Sequence, residues 1–305
     1  MAEGMDVFDR RLVRLRRERA AARWSDHDFL FREVAERLAE RLGDVRREFP
    51  LALELGRRGD ALGTELHNRP TIGTIIHSGL SLSAIAGSGA LAVAADEEAL
   101  PFKDGIFDLI VSSLALHWVN DLPGALAQAR RALKPDGLFL AALFGGGTLA
   151  ELRDALMDAE MEEEGGVSPR VSPFADVRDM GGLLQRAGFA LPVVDADTIT
   201  VTFPDALALM KDLRGMGETN AVKARRTGFL RRATLARAAE AYRARYGGPD
   251  GRIPATFRII FVTAWAPSAT QQKPLRPGSA ATRLADALDA REVGTGIKAG
   301  QRDKT

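Results

Sequence analysis

From residue 95 to residue 145 the chain reads ADEEALPFKDGIFDLIVSSLALHWVNDLPGALAQARRALKPDGLFLAALFG. A strand end and a turn precede a continuous apolar run, FDLIVSSL. A polar loop, an amphipathic segment (122–133), the turn Lys134-Pro135-Asp136-Gly137 and a second apolar run (137–145) follow. Apolar runs of this length, bounded by turn residues and separated by a helix, are strands buried on both faces of a parallel sheet. Upstream, LALELG (51–56), TIIHSG (74–79) and ALAVAAD (90–96) have the same character. Strand–helix alternation predicts a doubly wound α/β sheet with right-handed crossovers. Ligands bind beyond the carboxyl ends of such strands, where the winding reverses. That places the useful residues at 54–60, 77–79, 96–97 and 112–121.

Composition removes other classes. The chain has 305 residues, 46% of them apolar, and a net charge of +1, so no overall field draws it to nucleic acid. Cysteine is absent, which excludes disulfides, thiolate catalysis and cysteine-held metals. No apolar run approaches the roughly 18 residues of a membrane span, so any membrane association is peripheral. The N-terminus lacks the apolar core of a secretory signal, and the expected compartment is the cytoplasm.

The first 23 residues carry seven arginines: Arg10, Arg11, Arg14, Arg16, Arg17, Arg19 and Arg23. Phe8, Leu12 and Leu15 give this segment an apolar stripe at i, i+4, i+7, so a helix is expected with its arginines in solvent or facing an acidic partner. A second helix is expected over 28–42, burying Phe31, Val34, Ala35, Leu38 and Leu42. The domain plan is N-terminal helices over 1–48, a sheet domain over 49–268 and a disordered polar tail over 269–305. Within the sheet domain a helical insertion (about 205–250) precedes the last strand, expected as an antiparallel edge over 253–267. That insertion roofs the cleft, and its loop GMGETNA (215–221) is the most site-like. A helix over 149–166 ends in the acids Glu160, Glu162, Glu163 and Glu164, expected to be solvated or to attract an arginine-bearing partner.

The strand ending in ADEE, followed by LPF, FDLIVSSLALHWV and LKPDG, resembles class I S-adenosylmethionine-dependent methyltransferases, including those that methylate malonyl carrier proteins. HWVNDLPGAL, FGGGTLAELR, SPRVSPF, LLQRAGF, LMKDLRGMGETNA and IPATF tighten the match to the complex I assembly factor 5 family. The resemblance runs from about residue 8 to about 281. It implies a Rossmann-like methyltransferase fold, S-adenosylmethionine as cofactor and a role in assembling respiratory complex I, with a hydrophilic-arm subunit as partner. It also implies arginine modification, by methylation or by the hydroxylation ascribed to the mitochondrial member.

Carried onto this sequence, the family pattern gives Glu54, Gly56, Gly59, Asp96, Glu97 and Leu114 as cofactor contacts. His117, Asn120 and Asp121 become the catalytic loop, with a substrate arginine presented there and near residues 145–148. Ser112 and Ser113 lie beneath the pocket. His117 serves as a base in the useful pH range, or only holds the loop against the sheet. Three positions depart from the pattern. Arg57 and Arg58 crowd a turn that uses glycine for close approach, and Gly79 stands where a carboxylate takes the ribose hydroxyls. Losing that carboxylate costs roughly 1.5–3 kcal/mol, about 10- to 100-fold in affinity. No metal site is expected from spacing, although His77, His117 and Asp121 are candidates for assembly in space. Two function classes follow: an enzyme modifying a protein, and a non-catalytic assembly factor with a degenerate pocket.

Overall fold

The computed structural model describes residues 6–85, 91–272 and 282–291. Residues 1–268 form one compact unit and 269–305 a second, in which a short helix (Leu284–Ala287) is described; the rest of the expected disordered tail lies largely outside the described residues. The first unit opens with α1 (Arg10–Ala21) and α2 (Phe29–Gly43), separated by a single 3₁₀ turn (Trp24–Asp26). Then β1 (Phe49–Leu55), α3 (Ala61–His67), β2 (Ile72–Gly79), α4 (Leu82–Ile85) and β3 (Leu91–Ala94) build one half of the sheet. The other half comprises β4 (Phe107–Ser113), α5 (Leu122–Ala132), β5 (Leu133–Phe144), α6 (Ala150–Glu164), α7 (Val177–Arg186) and β6 (Ala190–Phe203). It ends with α8 (Ala206–Gly215), α9 (Arg232–Tyr246) and β7 (Ile253–Trp265).

Among the described residues seven strands lie in the order β3-β2-β1-β4-β5-β7-β6, so the winding reverses between β1 and β4. The sheet is parallel from β3 to β5, and β7 runs antiparallel to both β5 and β6. Side chains alternate between two apolar layers with the two-residue period of a strand. Leu138, Leu140, Ala142 and Phe144 face the layer with α2, α6, α8 and α9. Phe139, Ala141 and Leu143 face the layer with α5 and α7. Helix α2 buries Phe31, Val34, Ala35, Leu38 and Leu42, the face expected from its periodicity.

Four expectations need correction. The last strand is not the edge: β7 is inserted between β5 and β6, and its two-sided burial contrasts with the one-sided alternation of β6. Residues 134–137 do not separate helix from strand; β5 already pairs at Leu133, and Lys134–Gly137 form an irregularity in it, with Asp136 at φ 63°. The acids closing α6 are not all solvated. Glu160 is buried and accepts from Ser168 and Arg170, Glu162 pairs with Arg237, and Glu164 takes Thr234 and Arg226. Lastly, α1 buries Val13, Arg17 and Ala20, while Leu15 is 39% exposed and Phe8 precedes the helix. Phe8 instead bridges Val222 and packs edge-on to Trp118, centroids 5.2 Å apart. Among the described residues no helix is long and apolar enough to cross a membrane.

Candidate active site

The turn after β1 has the backbone of a ligand-binding loop but not its side chains. Gly56 (φ +78°) and Gly59 (φ +82°) both take the left-handed conformation that only glycine adopts freely. Gly59 therefore supplies the second flexible joint, one residue later than the family pattern has it. Between them, Arg57 and Arg58 leave in different directions, and both are buried.

Arg57 folds back beneath the turn. Its Nη1 donates to Glu54 Oε2 at 2.8 Å and lies 2.9 Å from His77 Nδ1, which in turn contacts Glu54; its Nη2 reaches Asp60. A Cβ on Gly63 would stand 2.5 Å from that Nη1, so the glycine in α3 provides the room Arg57 occupies. Gly79 closes the same corner: a Cβ there would press within 3.1–3.4 Å of Ile85 and the Arg57 backbone.

Arg58 points toward the roof and lies against the packed pair of rings Trp24 (5.4 Å) and Phe31 (5.0 Å). Its Nη1 donates to Glu218 Oε1 at 2.7 Å, and its Nη2 to the Met216 carbonyl. Glu218 sits in the loop after α8, the roof loop singled out from the sequence. Its second oxygen accepts from Trp118 Nε1 (2.8 Å) and contacts His117 Nε2 (3.0 Å). Burial disfavours the Glu218 anion, but Arg58 and His117 outweigh it and hold the carboxyl at about 2. Burial likewise lowers His117 below its ordinary 6.5 despite the nearby Glu218 anion. His117 is therefore neutral at pH 7, and its Nε2–H donates to Glu218; Nδ1 is buried with no partner among the described residues.

The third cluster joins α1 to the end of β3. Glu97 accepts Arg17 Nη1 at 2.6 Å on one oxygen and Arg10 on the other, while Arg10 also bonds Asp96 at 2.5 Å. Arg17 and Glu97 are fully enclosed. Burial opposes the Glu97 charge, yet the Arg17 and Arg10 guanidiniums bring its carboxyl to about 2. Arg10 and Arg17 stand seven residues apart, on one face of α1. These arginines are neither solvated nor offered to a partner; the chain itself supplies their acids.

The other expected residues are engaged in holding the fold. Asp121 caps α5, accepting from the Gly124 N–H at 2.9 Å. Asn120 clamps the backbone of Phe8 through both ends of its amide. Leu114, at φ 47°, is buried in the apolar layer below β4. Ser112 donates to the Leu55 carbonyl, and the buried Ser113 Oγ has no partner among the described residues. His77, His117 and Asp121 are not gathered into a metal-holding group among those residues. Sequence reasoning missed Arg10, Arg17 and Glu218. The signal for the arginines was the spacing of Val13, Arg17 and Ala20, which sets a cation within a buried face.

Comparisons with known proteins fit this architecture. Residues 78–141 match the methyltransferase domain family model. The mitochondrial arginine-hydroxylase NDUFAF5 of Danio rerio is 44% identical over 290 residues, covering 93% of this chain and 90% of its own. The chain belongs to the class I methyltransferase superfamily, in the family of these arginine hydroxylases. The human protein of the same name is 46% identical, over 90% of this chain and 81% of its own. A malonyl-[acyl-carrier protein] O-methyltransferase from Halorhodospira halophila is 36% identical over 87% of this chain and 91% of its own. Among solved structures, a Bacillus halodurans protein described as a methyltransferase superposes with a TM-score of 0.52 at 15% identity. That match covers 77% of this chain and 99% of the other, a likeness of fold alone.

Class I methyltransferases use S-adenosylmethionine, and the residues here do not fit it in this arrangement. Glu54, the acid for the cofactor's amino-acid end, is already neutralised by Arg57. Glu97 is saturated by two guanidiniums. Trp24 lies over the turn so closely that a Cβ on Gly59 would be 2.1 Å from its Nε1. The space left between Glu54, Arg58, Gly59 and Ser113 is about 10 Å³, enough for a single water. A neighbouring recess of about 270 Å³ is bounded by Arg17, Trp24 and Arg58 themselves. Within this arginine-hydroxylase family member, the nucleoside crevice is filled by the protein's own ion pairs.

Proposed function

We propose that this protein modifies an arginine side chain of a protein substrate, a subunit of the hydrophilic arm, during assembly of respiratory complex I. The reading draws on near full-length relatives named arginine hydroxylase. The observation that carries it is Glu218. This carboxylate, held ionised at about 2, borders a cavity of about 200 Å³ whose walls include Leu152, Leu156, Phe174, Met210 and Leu213. Arg170 and Arg214 also line it, so an entering arginine would pack its methylene stem on the leucines and reach the Glu218 carboxylate by displacing Arg58. Glu218 binds one guanidinium already, that of Arg58. Neutral His117, packed 4.5 Å from the Phe144 ring, keeps the Glu218 oxygens oriented.

The test compares peptides of the complex I hydrophilic arm by mass spectrometry from cells with and without the protein. An arginine that gains one oxygen, or one methylene, only when the protein is present supports the reading and identifies the reaction. If no arginine differs while complex I still fails to assemble without the protein, modification is refuted. A specific observation favours the second reading, a non-catalytic assembly factor: Arg10 and Arg17 of α1 occupy the carboxylates that a nucleoside would need.

A further inference from the structure

Beside the roof loop, α1 and α8 face each other across a groove of about 440 Å³. Its lining holds five cationic side chains, Arg16, Arg19, Arg23, Lys211 and Arg214, and no carboxylate. A chain with 42 basic and 41 acidic residues does not produce that segregation by composition. Arg19, Lys211 and Arg214 are exposed and form no ion pair among the described residues. The anions nearest the groove in sequence are already paired, two of them with the lining residues His27 and Arg23. Asp212 holds His27 at 2.7 Å, Glu18 holds Arg14, and Asp26 lies 3.6 Å from Arg23. Arg16 gives its Nη1 to the Thr219 and Asn220 carbonyls, tying the groove to the loop that carries Glu218. Burial and the neighbouring Arg225 bring Arg16 down to about 10, a sign of crowded positive charge.

We infer that this groove docks an acidic polypeptide segment, and that the segment belongs to the protein whose arginine is modified. The groove shares Arg214 and Thr219 with the apolar cavity beside Glu218, so a chain bound in one runs directly into the other. No Phe, Tyr or Trp lines the groove, and the ring of His27 is tied to Asp212, which leaves little stacking surface for single-stranded nucleic acid. Five cations facing a cleft also raise the local concentration of an acidic partner and steer its encounter.

The inference rests on the proposed arginine-modifying reading but is tested without turnover, so failure of one leaves the other standing. Fluorescence anisotropy of the full chain would use three labelled probes: a peptide alternating Asp and Gly, the same peptide with Asn, and an oligothymidylate of equal charge. The expected result is binding of the Asp peptide, none of the Asn peptide, and weakening with added salt. Arg19→Glu with Lys211→Glu should weaken the Asp peptide about tenfold. Arg19→Gln with Lys211→Gln should weaken it about threefold, and decides the matter if the reversal variant does not melt like the parent. Absence of Asp-peptide binding, or affinity unchanged by both double variants, overturns the inference. Tighter binding of the oligothymidylate, lost equally in the variants, would also overturn it.

Discussion

Replacing Glu218 with Gln tests the site most directly, because it keeps the shape and removes one charge. The drop of the Glu218 carboxyl from 4.5 to about 2 corresponds to about 3 kcal/mol of folded-state preference for the anion. An independent route gives a similar figure. Removing one partner of a buried ion pair costs about 3–5 kcal/mol, since the other charge is left unpaired. Here that charge is Arg58, buried against Trp24 and Phe31 with the Met216 carbonyl as its remaining acceptor. A loss of about 3 kcal/mol should lower the melting midpoint of the full chain by roughly 6–12 °C. The pairing is isolated by a cycle with Arg58→Met: each single change is expected to cost about 3 kcal/mol, and the double change about 1–3 kcal/mol less than their sum. Urea titrations at pH 7 measure all four corners. Strict additivity, or a cost below about 1 kcal/mol for Glu218→Gln, would show that Glu218 and Arg58 are not the paired charges described here.

Acid should unfold the protein through the same clusters. Glu97 and Glu218 lie at about 2 against an ordinary 4.5, so their contribution is complete above about pH 4.5 and disappears as pH falls toward 2. His117, lowered by burial, adds a loss that begins below pH 6.5, where the unfolded chain takes up a proton that the folded one resists. Denaturation midpoints that stay flat from pH 7 to pH 3 would contradict both. Gly59→Ala should be destabilising by about 2 kcal/mol or more, through a left-handed φ and the overlap with Trp24, and Trp24→Ala should recover part of that loss; calorimetric melting of the three variants checks this. Arg10→Met with Arg17→Met frees Asp96 and Glu97, and should bind S-adenosylhomocysteine at least tenfold more tightly than the parent in isothermal titration. Equal affinity would mean that α1 does not obstruct the crevice.

The sheet was legible because its information is local. Runs such as FDLIVSSL are strands buried on both faces, and Glu54, Gly56 and Gly59, which the family pattern supplies, fall on the end of β1 and the turn after it. The segment 28–42 likewise announces its buried face residue by residue. The place of the last strand was not local. Ile253–Trp265 carries the apolar pattern of a strand wherever it pairs, and its insertion between β5 and β6 is settled by the packing of both its faces.

Charge partners separate the two kinds of knowledge most clearly. The amino-acid order places Arg57 and Arg58 where a ligand would need glycine, and so raises the question of an obstructed crevice. It cannot say that Arg57 turns to Glu54 three residues earlier, while Arg58 crosses to Glu218 and Arg17 to Glu97, 160 and 80 residues away. Ion pairing depends on distances of a few ångströms between groups that carry no periodic signature, and a guanidinium on the chain reads alike whether it ends in water or in the core. Only the folded arrangement decided that the N-terminal arginines close the crevice from within, and that Arg16, Arg19, Arg23, Lys211 and Arg214 come together along one groove.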